Sequence, residues 1–306
     1  TMTGGLDLCP PNAAESIDDY ATAMTEVGVP FEWLDATDVA RRWPQWRLDP
    51  NTRAIFQADA GIADPEPGNA AHQRLARAAG ATLLERQRVT AIHDQGNEIE
   101  VVTEGGETFS TGAVVVATDA WTNDLLAPLG HELPLSITRE QVTWFEPKDA
   151  AAFEPARFPI WIWLDQPSFY GFPTYRSAGP KVGEDVGGRQ TTATGRSFDI
   201  DVDCLGRVER FLAKRMPGAL GPAVLTKTCL YTLTPDRDFV VDRVPGHPGV
   251  IAALGAAHAY KFAALLGTRL AELALDPQRA APRADLALFS LERDALRAAT
   301  NLAPAS

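Results

Sequence analysis

Between Lys227 and Phe262 the sequence reads KTCLYTLTPDRDFVVDRVPGHPGVIAALGAAHAYKF, which puts two chemically capable side chains in one stretch. Cys229 stands just ahead of a Thr234-Pro235-Asp236 turn, and Lys261 follows a Gly/Ala loop at the start of a helix. A thiol offers nucleophilic or covalent chemistry. An ammonium offers charge to an anionic group or to negative charge that develops during a reaction. A third group of this kind, Lys181, lies in an apolar, aromatic-rich segment, where burial would lower its pKa. Each has a plainer reading. A lone cysteine in a strand-rich segment is more often a small buried hydrophobe, the reading we give Cys204, and lysines are ordinarily surface charges. The pattern alone does not name a reaction.

The elements that must position these groups follow from periodicity. In the opening stretch, apolar strands at Phe239–Val241 and Gly249–Leu254 lead to the loop Gly255-Ala256-Ala257-His258-Ala259. The helix beyond it runs to about Leu275, with Phe262, Leu266, Leu270 and Leu273 as its expected buried stripe. Residues 1–60 read mostly as helices with connecting turns, one starting near Ala13–Ser16 and one over Asp35–Arg42, ended by Pro44, and residues 54–62 read as a strand and turn. Trp43 and Trp46 are expected to pack that loop onto the core. A helix over Asn69–Ala79 closes at Gly80, followed by strands at Ala81–Leu84, Gln87–His93, Glu98–Thr103 and Glu107–Ser110. The continuous apolar run Gly112–Thr118 reads as a strand buried on both faces, as in a parallel sheet, and it leads into a helix near Asn123. After Pro134 the composition shifts to aromatics and glycine. Strands at Ser136–Phe145, Pro159–Leu164, Ser168–Phe172 and around Lys181 indicate an antiparallel sheet, and Asp203 is the expected cap of a helix bearing Leu205, Val208, Phe211 and Leu212. Trp161 and Trp163 could line a pocket or pack the sheet.

Composition narrows the function. The chain has 306 residues, 45% of them apolar and 22% charged, which is ordinary for a globular protein of about two domains. A net charge of -12 with no basic stripe argues against a nucleic-acid partner. No apolar run approaches the roughly 18 residues needed to span a membrane. Three scattered cysteines point to a reducing, cytoplasmic setting, and five histidines without ligand spacing offer no metal site.

Several separated motifs carry a resemblance. Cys229-x-Tyr231-Thr232-x-Thr234-x-Asp236-x-x-Phe239, Tyr170-Gly171-Phe172-Pro173, Gly179-x-Lys181-x-Gly183, His258-Ala259-Tyr260-Lys261-Phe262, Arg41-Arg42-Trp43-Pro44 and Val114–Trp121 all match one family. The whole chain resembles the monomeric sarcosine oxidase and N-methyltryptophan oxidase family of flavin-dependent amine oxidases. The resemblance implies FAD as cofactor, attached through Cys229. It implies a secondary amine or N-methyl amino acid as substrate, oxidised to an imine with O2 as acceptor and H2O2 as product. It gives Lys181, Lys261 and Tyr170 catalytic or substrate-facing roles, and Val89, Thr118, Trp121, Gly255, His258 and Lys261 places around the cofactor. The implied fold is mixed α/β: an incomplete FAD-binding domain with an inserted antiparallel-sheet substrate domain. On that basis residues 1–134 and 223–283 belong to the FAD-binding domain, 135–222 to the substrate domain, and 284–306 form a tail.

The chain departs from the family pattern at three places. No GxGxxG dinucleotide fingerprint occurs in these residues; the family places it ahead of the point matching Gly4, so a separate N-terminal FAD-binding chain is one expectation. Asp119 stands where the family usually has glycine, and alanines replace glycine in the loop after Gly255. A carboxylate there would repel a pyrophosphate, and any of these positions needing positive φ would be strained. A second reading is a degenerate homologue without FAD, acting as a non-catalytic binding or partner protein.

Overall fold

Three strands, Gly5–Cys9, Glu32–Asp35 and Arg53–Gln57, run through the first sixty residues; the third matches the strand expected at residues 54–62, and the first two lie where helices and turns were expected. In the first of them, buried Leu6 and Leu8 alternate with Gly5, Asp7 and Cys9, a period of two hidden by residue types that strands usually avoid. The expected helices lie between these strands, at Ile17–Glu26 and Ala36–Arg42. Asp35 caps the second by accepting the Asp38 N–H at 2.8 Å. The computed structural model describes residues 1–276 and 284–300; of the segments read from sequence, 277–283 and 301–306 lie outside the described residues.

The chain forms two compact units. The first comprises Thr1–Asp64, Arg139–Arg189 and Ser197–Cys229; the second comprises Pro65–Thr138, Gln190–Arg196 and the chain from Leu230 onward.

The first unit is built on a nine-stranded sheet. Its strands run in the order Arg189–Gln190, Ser136–Phe145, Lys181–Asp185, Ser168–Phe172, Ile160–Trp163, Gly5–Cys9, Arg53–Gln57 and Glu32–Asp35, and Ala223–Leu233 also pairs with Ser136–Phe145. Gly5–Cys9 lies parallel to Ile160–Trp163 and antiparallel to Arg53–Gln57. One face carries Leu6, Leu8, Trp161, Trp163, Phe169 and Val182 into a core shared with Val208, Phe211 and Leu212 of helix Val202–Arg215. Phe211 stacks on Phe169 at 4.3 Å between ring centroids, and Trp46 meets Trp161 edge-on at 5.0 Å. Trp161 and Trp163 are therefore core side chains. The cap of that helix is Asp201, not Asp203: the Asp201 carboxylate accepts the N–H groups of Asp203 and Cys204, each at 3.1 Å. Asp203 sits inside the first turn and pairs with Arg189 at 2.7 Å.

The second unit holds two three-stranded sheets. One is the meander Val89–Asp94, Ile99–Thr103, Thr108–Thr111; the other orders Val240–Val244, His247–Leu254 and Val114–Val116. In the second sheet Val114–Val116 runs parallel to His247–Leu254, the pairing expected of its apolar run. The strand spans only three residues and lies at the sheet edge with Val115 38% exposed, so it is not buried on both faces. Residues 81–84 form no strand; helix Pro65–Ala78 ends near Gly80, at φ +92, and the segment beyond has no ladder partner. The stripe expected on helix Ala263–Leu275 is not buried either. Leu266 and Leu270 line a cavity of about 300 Å³ instead of meeting packed side chains. Among the described residues no helix is long and apolar enough to cross a membrane.

The turn after the Cys229 strand is fixed by one arginine. Arg293 donates to both oxygens of Asp236, at 2.7 and 2.9 Å, and to the carbonyls of Asp238, Phe239 and Ser290. This pairing, aided by the Asp238 N–H and the Thr234 hydroxyl and opposed by burial, pulls the Asp236 carboxyl from 3.8 down to about 2. A carboxyl whose pKa is depressed on folding contributes stability above its unfolded value and loses it as pH falls through the folded one. The contribution, screened by solvent at this exposed turn to about 1 kcal/mol or less, is present above pH ~4 and disappears toward pH ~2. Carboxyl-carbon NMR should show Asp236 titrating near 2 in the native protein and clearly higher in Arg293→Met; an unchanged titration in the variant would contradict the pairing.

Candidate functional site

Strand alternation collects one set of chemical groups on the face of the nine-stranded sheet opposite the tryptophan core. Cross-strand partners place Asp7, Ile162, Tyr170, Gly183 and Val142 in one row across five strands. A Cβ on Gly183 would come within 3.1 Å of the Tyr170 ring, so glycine leaves room for that ring in the row. Two residues along, Lys181 lies opposite both Phe172 and Trp144. The Lys181 ammonium sits 3.9 Å from the Phe172 ring centroid and 5.8 Å from that of Trp144. Burial holds its pKa below the ordinary value, and the nearby Cys229 sulfur opposes that shift. Lys227 reaches the same Trp144 ring at 6.0 Å, and Cys229, two residues further along the strand, shares its face. The first unit therefore brings Tyr170, Lys181 and Cys229 to one surface. Gly171 of the Tyr170-Gly171-Phe172 motif faces the other way, where any side chain would collide with Trp161.

Asp7 belongs to this row and was not singled out from sequence. Its strand is short, and its neighbours Ile55 and Ile162 are remote in the chain, so no local signal marks it. Cys204 is a buried thiol pushed up to about 11 by burial, which makes it inert.

In the second unit the predicted residues gather on two loops that follow the parallel strands. Thr118 precedes a single helical turn, Asp119–Trp121, with Trp121 39% exposed. After His247–Leu254, Gly255 packs so tightly on Ala259 that a Cβ would collide with it. His258 Nε2 accepts from the Arg237 guanidinium at 2.8 Å, since arginine can only donate, and its ring meets Tyr231 edge-on at 5.7 Å. Lys261 lies on the turn Ala259–Phe262 and is exposed. Val89 is half-buried and packs against the core side chains of its unit.

Both loops are strained where the sequence pattern lacks glycine. Asp119 sits at φ +46, Ala256 at +42 and Ala257 at +71. Such conformations persist only where surrounding structure imposes them, and they cluster at ligand clamps. Asp119 and Gly255 open on the cavity of about 300 Å³, which small residues such as Ala117, Ala253 and Ala259 also line. These residues fit FAD: two loops at the ends of adjacent parallel strands, with little side-chain bulk between backbone and ligand. Asp119 is the side chain that opposes an anionic group. Burial raises its pKa, while Thr232, whose hydroxyl leans toward the carboxylate without completing a well-formed hydrogen bond, and the Ala120 N–H oppose the rise.

Glycine should relieve the strain. A left-handed non-glycine residue costs about 1–2 kcal/mol, partly offset by the extra freedom glycine has when unfolded. Asp119→Gly and Ala257→Gly should each raise the melting temperature by about 2–4 °C in calorimetry; a lower melting temperature in both would show that the native loops do not hold these angles.

Residues 1–273 match the family described as FAD dependent oxidoreductase. The chain is similar to the monomeric sarcosine oxidase of Arthrobacter sp. (strain TE1826), at 30% identity over 302 residues, covering 97% of this chain and 76% of that protein. It is similar to the N-methyl-L-tryptophan oxidase of Salmonella arizonae, at 31% identity, covering 95% and 76%. Among solved structures, NikD, an unusual amino acid oxidase essential for nikkomycin biosynthesis, superposes with a TM-score of 0.80 at 27% identity, over 95% of this chain and 76% of that one. These matches do not favour a non-catalytic role, and none supports a separate N-terminal chain. The chain belongs to the FAD dependent oxidoreductase family and is of the sarcosine and N-methyltryptophan oxidase type.

Proposed function

We propose that the protein oxidises a secondary amine or N-methyl amino acid to an imine, passes the electrons to O2 with formation of H2O2, and carries FAD covalently on Cys229. The observation that carries this reading is Lys181. No carboxylate pairs with it among the described residues, and it sits over Phe172 and Trp144 beside Cys229 on one sheet face. Bound FAD supplies the two-electron acceptor for the carbon–hydrogen bond next to the amine nitrogen.

The chain's own residues do the rest. Lys181, partly desolvated, stabilises negative charge developing on oxygen more strongly than a hydrated ammonium would. Lys261 is a cation for the substrate carboxylate, and Tyr170 lines the substrate side with its ring. Thr118, Trp121, Gly255 and His258 hold the cofactor through the two strained loops, and Val89 supports them from the meander. Three cysteines, none in a disulfide, support a cytoplasmic setting.

Lys181→Met should slow reoxidation of the reduced flavin by O2 on the order of 10²–10³-fold in stopped flow, the loss typical of removing one oxyanion-stabilising group. Anaerobic reduction by sarcosine should stay within a few fold. Equal slowing of both steps would reject the oxygen role. After acid precipitation, flavin fluorescence should remain with the native protein and pass to the supernatant for Cys229→Ala; release from both would reject covalent attachment.

A further inference from the structure

Asp7 has no structural explanation in the unit that contains it. It lies in the middle of Gly5–Cys9, an interior strand of the nine-stranded sheet, between Ile55 on one side and Ile162 on the other. Aspartate is poorly suited to an interior strand, and a desolvated carboxylate is costly unless something pairs with it. Asp7 makes no hydrogen bond and no ion pair among the described residues, and its pKa rises to about 6 through burial alone. Its surroundings differ to either side. Toward Ile55 the face is covered, since Ile55 packs with Ile17, Ala21 and Leu164. Toward Tyr170 it opens: Ile162 is 38% exposed. The carboxylate thus stands at the closed end of the surface whose other end carries Tyr170 and Lys181.

Strand spacing sets the scale. Tyr170 is two strands from Asp7, about 10 Å, and Lys181 is one strand further and offset along the sheet. A minimal amine such as sarcosine is too short to meet both ends of this surface. A longer substrate with a donor at its far end could do so.

We propose that Asp7 is a specificity-determining residue whose carboxylate receives a cationic group at the distal end of the substrate, so that secondary amino acids with a basic side chain are preferred over neutral ones of the same length. This inference rests on the reading that the Tyr170–Lys181 face meets the substrate. A cation beside the carboxylate favours its ionised form, and removing one partner of a hydrogen-bonded charge leaves the other unpaired, which typically changes selectivity by about 10–100-fold.

The test compares Nα-methyl-L-lysine, N-methyl-L-norleucine and sarcosine on the FAD-loaded native protein, Asp7→Asn and Asp7→Glu. The native protein should favour the lysine compound over its neutral counterpart by at least tenfold in kcat/KM. Asp7→Asn should abolish that preference and leave the norleucine compound and sarcosine within a few fold, and Asp7→Glu should keep part of the preference. Equal losses for all three compounds in Asp7→Asn, or no preference in the native protein, overturn the proposal. Calorimetric binding of the same compounds separates this result from the oxidase reading: an Asp7-dependent preference in binding without turnover supports the specificity role and rejects the oxidation.

Discussion

A strand side chain can face only one of two sheet surfaces, and that parity governs the first unit. Trp161, Trp163, Phe169 and Val182 point into the core with Phe211, and this obliges Ile162, Tyr170 and Lys181 to point the other way. A one-residue slip would bury Lys181 among tryptophans and expel the core. The stability of the aromatic cluster therefore holds the reactive face in register. Lys181 itself is held at a cost. Its contacts with Phe172 and Trp144 return about 0.5–2 kcal/mol, against a desolvation that lowers its pKa. With no carboxylate among the described residues to complete the balance, the ammonium gains most from an anion that forms during the reaction.

The second unit shows a related compromise in its backbone. Three non-glycine residues hold left-handed angles at the two loops after the parallel strands, and the His258 contact with Arg237 and the Arg293 clamp on Asp236 keep neighbouring turns in place. Natural proteins retain such strain where activity needs a fixed geometry more than it needs stability. Asp119 remains the least comfortable member, because its carboxyl is both strained in backbone and raised in pKa.

How much of this was legible in the sequence depended on whether the signal was local. The strands Ser136–Phe145 and Ile160–Trp163 announce themselves by alternation, those carrying Tyr170 and Lys181 by their aromatic and glycine-rich composition, and Cys229, Lys181 and Lys261 by their motifs. The glycine-poor loops were also legible, since an alanine at a glycine position already predicts strain wherever φ is positive. The strand Gly5–Cys9 was not, because Gly5 and Asp7 obscure a two-residue period that only Leu6 and Leu8 carry. Asp7 was missed with it, for its row is assembled from residues far apart in the chain. The helix stripe at Leu266 and Leu270 was read with the right periodicity and the wrong surroundings: amphipathic spacing states which residues share a face but not whether that face meets side chains or a cavity. The cap at Asp201 differed from Asp203 by two residues, a distance that spacing alone does not resolve.

The central claim is that flavin chemistry takes place on the face that Cys229 shares with Lys181. Peptide mass mapping of the purified holoprotein tests it most directly, because the three cysteines lie on separable peptides. The account predicts a flavin mass on the peptide containing Cys229 and none on those containing Cys9 or Cys204. Flavin on either of the other cysteines, or on no peptide, would contradict it.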